Sequence, residues 1–94
     1  MTAGSVTVVN QMGMHARAAA KFVHLATRYQ AQVRVGGEAR ETDGKSIMGI
    51  LLLAAARGSR ITITADGVDE AEAIAALVAL VASGFGEDPP AGPA

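Results

Sequence analysis

The chain of 94 residues has no cysteine and no tryptophan. Without cysteine there are no disulfides and no thiolate metal sites, a composition that suits a reducing compartment. Aromatic residues are reduced to one tyrosine and two phenylalanines, so the core has to be assembled from Val, Ile, Leu and Ala. All three prolines lie beyond Gly86. Neither sign of charge dominates, with 8 Lys+Arg against 9 Asp+Glu. The balance gives no reason to expect nucleic acid or an anionic membrane as main partner. No window reaches the roughly 18 uninterrupted apolar residues of a membrane span. The N-terminus lacks a basic region followed by an apolar run, so no signal peptide is expected. The chain reads as one soluble, cytoplasmic domain over residues 1–85, with a flexible C-terminal tail over residues 86–94 and no internal repeats.

What is present is a regular alternation of strand and helix patterns. Ser5 to Val9, with Val6, Val8 and Val9, reads as a short strand. From Ala16 the pattern turns helical: Ala19, Phe22, Val23, Ala26 and Tyr29 share one face, and Lys21, His24 and Arg28 fall on the other. His24 reads as a solvated helix residue. Gln32 to Val35 alternates as a strand with Val33 and Val35 inward. Gly36-Gly37 is a hairpin signal, and Ala39 to Thr42 is the expected returning edge strand. Ser46 is a good N-cap for a helix over Ile47 to Ala56, with Ile47, Ile50, Leu51 and Ala54 as its core face. Met48, Leu52 and Ala55 make a second apolar row, read as a partner-binding patch, with extra packing as the alternative. Arg60 to Ala65 is the clearest strand. Asp69 and Glu72 form an Asp-x-x-Glu variant of the capping box. The last helix presents Ile74, Leu77, Val78 and Val81 inward and stops at Gly84. The order β-α-β-β-α-β-α predicts a two-layer, open-faced α+β sandwich. It would have a four-stranded, mainly antiparallel sheet with three helices on one face.

The stretch with most chemistry is Gly13-Met14-His15-Ala16-Arg17-Ala18-Ala19-Ala20. It places His15 where a loop becomes a helix. The first amides of a helix have no intrahelical acceptors, and the dipole leaves partial positive charge there, which favours an anion. Arg17 adds a planar fork suited to phosphate oxygens. A histidine nucleophile, a helix start and an arginine can together carry a phosphoryl group. The competing reading is a plain α+β interaction module in which His15 is a surface histidine near a cap. A metal site is not expected, since the two histidines are nine residues apart and no carboxylate lies near them in sequence.

Two motifs resemble one known family. Gly13-Met14-His15-Ala16-Arg17 resembles the active-site loop of HPr, the histidine-containing phosphocarrier of the bacterial phosphotransferase system. Lys45-Ser46-Ile47-Met48-Gly49 resembles the regulatory-serine segment of the same family, and Asp66-Gly67 is similar to its last strand-to-helix turn. The resemblance covers roughly residues 5–83. It implies that His15 accepts a phosphoryl group from phosphorylated Enzyme I and passes it to an EIIA-type domain, with Arg17 steadying the phosphate. It implies Ser46 as the target of an HPr serine kinase in lineages that have one. It implies a partner surface comprising Ala16, Ala20, Lys45, Ile47, Met48, Gly49 and Leu52, which takes in the surplus row found by periodicity. It implies a monomeric carrier, not a free-standing enzyme, with no cofactor or metal of its own, magnesium belonging to the Enzyme I step. The chain departs from many members at Ala18, where they carry proline. Ala18 and the ending Ser83-Gly84-Phe85-Gly86-Glu87-Asp88 resemble the nitrogen-related NPr branch, a regulatory phosphocarrier, as the alternative to sugar transport.

Overall fold

A computed structural model of the chain describes residues 1–38 and 40–86. Its elements are β1 (Thr2–Thr7), α1 (Ala16–Ala26), β2 (Gln32–Gly36), β3 (Glu41–Asp43), α2 (Ile47–Leu53), β4 (Arg60–Asp66) and α3 (Glu70–Ala82), followed by a 3-10 turn over Gly84–Gly86. The strands form one sheet in the order β1-β4-β2-β3, with every pairing antiparallel. Strand alternation sets the two faces. Ile61, Ile63 and Ala65 of β4 and Val33 and Val35 of β2 are buried, while Arg60, Thr62, Gln32 and Arg34 are exposed. The helices cover the apolar face. α1 buries Ala18, Ala19, Phe22, Val23 and Ala26, and α3 buries Ala73, Ile74, Leu77 and Val81. Full burial of each larger side chain contributes about 1.5–3 kcal/mol, which for so small a core carries most of the stability. α3 packs on β1 and β4, α2 beside β3, and α1 against both α2 and α3. This is the open-faced, two-layer α+β sandwich that the order of patterns predicts.

Several boundaries differ from the sequence reading. β1 starts at Thr2 and ends at Thr7 because Thr2 to Thr7 pair with Ala65 to Arg60. Val8 is buried beyond the strand and Val9 is exposed. Tyr29 lies past the end of α1, partly buried against the core. β3 is only Glu41–Asp43, and Ala39 lies outside the described residues. α2 ends at Leu53, three residues short of the expected Ala56, because Ala54 turns left-handed (φ 52, ψ 37). That early stop rotates the chain. Ala54, expected in the core, is exposed, and Ala55, expected in the outer row, is buried. Ile47 is also exposed, while Leu51 and Leu53 pack partly against the core around Ile50. Val78 is only partly buried. Phe85, given no role by the periodicity, is buried after the last helix at φ 58. Gly86 still belongs to the 3-10 turn, and the rest of the expected tail, residues 87–94, lies outside the described residues.

Candidate functional site

The loop between β1 and α1 is built before it is functional. Val8 extends the pairing past the strand: its amide donates to the Ser59 carbonyl (2.8 Å), and its carbonyl accepts from the Gly58 amide (2.7 Å). The buried Asn10 then closes a turn. Its side-chain Nδ2 donates to the Gly13 carbonyl at 2.7 Å, and the Gly13 amide donates to the Asn10 carbonyl at 3.1 Å. Gly13 has φ +67, and a Cβ there would lie 2.6 Å from the Ala55 carbonyl oxygen. Both conformation and space therefore require glycine. The Met14 amide donates to that same Ala55 oxygen at 2.9 Å, and the Met14 side chain is sunk in the core. The early stop of α2 thus has a tertiary purpose, since it turns Ala55 towards the loop.

His15 emerges from this anchored loop. Its backbone is extended (φ −76, ψ −179), and it is the N-cap residue of α1, with no side-chain cap bond. Its carbonyl accepts from the Ala19 amide at 2.8 Å. The amides of Ala16, Arg17 and Ala18 have no intrahelical acceptor, and no acidic side chain occupies the first turn. The positive end of the helix dipole is left uncompensated by the helix itself. Arg17 is exposed and enters no ion pair among the described residues. The His15 side chain is half-buried, and Ala18 is fully buried beneath the helix. A ring held by a fixed backbone at the protein surface is open to an in-line approach by a phosphoryl donor.

The second motif adopts the expected local structure. Ser46 Oγ accepts from the Gly49 amide at 3.0 Å and caps α2. Lys45 Nζ donates to the Tyr29 carbonyl at 2.8 Å, which ties the start of α2 to the end of α1. Any side chain on Gly49 would collide with the Thr42 hydroxyl of β3. Ile47 (43% exposed), Met48 (65%) and Leu52 (57%) face solvent. The surplus row is therefore not used for internal packing, except for Ala55. On α1, Ala16 is exposed and Ala20 half-buried. Sequence reasoning passed over Met12, 71% exposed in the loop, and Asn10, whose turn was legible only as an Asn-x-x-Gly spacing. The cavity of about 590 Å³ between Gly37-Glu38 and the Leu53–Ile61 stretch does not include His15. The candidate site is an open surface.

The far end of the helical layer is different. Asp69 does not cap α3. Its carboxylate accepts from the amides of Gln30 (2.8 Å) and Ala31 (2.9 Å), so the expected capping box with Glu72 does not form. The Gln30 amide bond first, supported by that of Ala31, lowers the Asp69 pKa. Glu70 accepts from the Thr2 hydroxyl (2.6 Å), the Gly67 amide (3.1 Å) and the N-terminal ammonium (2.8 Å). The ammonium bond above all, then those from Thr2 and Gly67, hold the Glu70 carboxyl down to about 2.

The fold and site together are an open α+β sandwich that presents a histidine at a helix start beside an exposed arginine. Residues 3–83 match the sequence profile of the family described as PTS HPr component phosphorylation site. The chain belongs to that family, the HPr phosphocarriers of the phosphotransferase system. It is 49% identical over 81 residues to the phosphocarrier protein HPr of Cupriavidus necator, covering 86% of this chain and 91% of that one. It is 40% identical over 85 residues to the phosphocarrier protein NPr of Escherichia coli K12, covering 89% and 94%. The solved HPr of Thermoanaerobacter tengcongensis superposes with a TM-score of 0.90 at 40% identity, over 95% of this chain and all of that one. No helix among the described residues is long and apolar enough to cross a membrane.

Proposed function

We propose that His15 accepts a phosphoryl group from phosphorylated Enzyme I and passes it to an EIIA-type domain in the phosphoenolpyruvate-dependent sugar phosphotransferase system, in the cytoplasm. The observation that carries this reading is the start of α1, where His15 is the N-cap residue two positions before the exposed Arg17. The His15 ring supplies the nucleophilic nitrogen. The phosphorus–nitrogen bond to the donor histidine breaks as the new one forms, and the first-turn amides with Arg17 hold the phosphoryl oxygens. The rigid loop lowers the entropic cost of alignment, and the Met48–Leu52 row, with Ile47, Ala16 and Ala20, supplies the docking surface. The chain acts as a monomeric carrier and turns over only with its partners. Ser46, exposed in part at the start of α2, is the position for regulatory phosphorylation, with Lys45 and Gly49 shaping the segment around it.

A nitrogen-related regulatory role is the second reading. It is favoured by Ala18 in place of proline and by the similarity to the NPr of Escherichia coli K12. The greater identity to the HPr of Cupriavidus necator supports the sugar branch. The test is incubation with Enzyme I and labelled phosphoenolpyruvate. A label on His15 that is lost in acid and kept in base supports the carrier reading, and its absence overturns it. Transfer of the label to sugar-specific or nitrogen-specific EIIA domains then separates the two branches.

A further inference from the structure

The chain has no cysteine, so its four methionines are its only sulfur atoms. They are not equivalent. Met14 is 4% exposed and locked in the core, whereas Met12 is 71% exposed on the loop before His15 and Met48 is 65% exposed on α2. Met48 shares its helix face with Leu52, and the two form the centre of the exposed apolar row. We propose that Met48, assisted by Met12, is a peroxide-sensitive modification site whose oxidation lowers the affinity of the carrier for its protein partners. This inference rests on the docking role given above to the Met48–Leu52 row.

The chemistry is a two-electron oxygen transfer. The thioether sulfur attacks one oxygen of a hydroperoxide, the O–O bond breaks, and the sulfur gains that oxygen as a sulfoxide. The other oxygen leaves with the proton as water or an alcohol. Exposure decides which sulfurs react, so Met14 is protected while Met1 at the N-terminus, Met12 and Met48 are open. With no thiol in the chain, no cysteine competes for the oxidant. Sulfoxide formation converts an adaptable apolar side chain into a polar one with a strong acceptor, at the place where a partner would remove it from water. His15 and Arg17 are chemically untouched. Docking therefore weakens while the transfer step in the complex is retained, and methionine sulfoxide reductases reverse the change.

The test compares untreated and hydrogen peroxide-treated protein, with mass spectrometry to locate each added oxygen. Phosphorylation by Enzyme I is followed against carrier concentration. The untreated chain is measured first, because failure to accept the phosphoryl group overturns the carrier reading and this inference with it. If the untreated chain is active, oxidation at Met48 is expected to raise the half-saturating concentration about tenfold, the effect of one polar group buried without a partner. The saturating rate should change little. A Met12→Leu, Met48→Leu variant, compared with its own untreated half-saturating concentration, should show no change on peroxide treatment, Met12→Leu alone should stay sensitive, and reductase treatment should restore the wild type. Full activity with Met48 oxidised would overturn the inference, as would equal inhibition of the double leucine variant.

Discussion

At the start of α1 the chain leaves helix amides without intrahelical acceptors, beside an exposed arginine and a half-buried imidazole. The start of α3 also lacks a side-chain cap, but it carries carboxylates tied to other elements. Both oxygens of Asp69 accept from the loop after α1, and both oxygens of Glu70 are bonded to Gly67, Thr2 or the N-terminal ammonium. One end of the helical layer has no acidic side chain in its first turn. The other has carboxylates that join α3, β1 and the α1–β2 connection. α2 lies between these cases, with its first turn capped by Ser46 but its apolar row exposed. The contrast lies in the acidic side chains: the first turn of α1 carries none, whereas the carboxylates of Asp69 and Glu70 are tied to other elements of the fold.

The contrast is broken most completely by His15→Ala. Phosphoryl acceptance should vanish, while the melting temperature should move by no more than a few degrees, because no core contact is removed. Labelling at the wild-type rate would place the nucleophile elsewhere. Next in size is Met48→Glu or Leu52→Glu. Each should raise the half-saturating carrier concentration for Enzyme I by about tenfold or more, with stability within about 0.5 kcal/mol of wild type. A large loss of stability would show that the row is core.

Ser46→Asp should have a smaller effect, slowing His15 phosphorylation several-fold. Aspartate is itself a good N-cap and its charge suits a helix start, so folding should be neutral or improved by about 0.3–1 kcal/mol. The slowing comes from repulsion by a partner that presents acidic groups to Arg17, so it should weaken as salt rises. An unchanged rate would leave Ser46 as a helix cap only.

The mildest perturbation is at the far end, by pH. Asp69 and Glu70 have lowered pKa values in the fold, Glu70 about 2 against an ordinary value of 4.5. Their contribution is therefore complete above the unfolded values and is lost as pH falls from about 4.5 towards 2. Thermal midpoints measured down that range should fall. Asp69→Asn, which keeps one acceptor oxygen and loses the other, should flatten part of the slope. The same slope in wild type and variant would remove Asp69 from the account.

Much of the site was legible because its logic is local. The helix start at His15, the fork of Arg17 two residues later and the Ser46 cap all follow from adjacent residues and one helical turn. What escaped the sequence is non-local. Nothing in Leu53-Ala54-Ala55-Ala56 stops a helix by propensity, since alanine is the best helix former. The stop accompanies the bond from the Met14 amide to the Ala55 carbonyl, a contact across forty-one residues. Asp69 and Glu72 have a capping-box spacing, but the paired amides of Gln30 and Ala31 take the carboxylate instead. Phe85 could not be assigned by periodicity because it follows the last helix in a single turn.

The central claim is that His15 at the start of α1, and not the start of α3 or His24, carries the phosphoryl group. Amide and ring resonances of the chain, recorded by heteronuclear NMR before and after phosphorylation by Enzyme I and phosphoenolpyruvate, test it directly. The account predicts a phosphorus-coupled nitrogen in the His15 ring, the largest amide shifts at Ala16, Arg17 and Ala18, and unmoved amides from Asp69 to Ala73. Phosphorus coupling at His24, or shifts concentrated at the start of α3 with His15 unchanged, would contradict it.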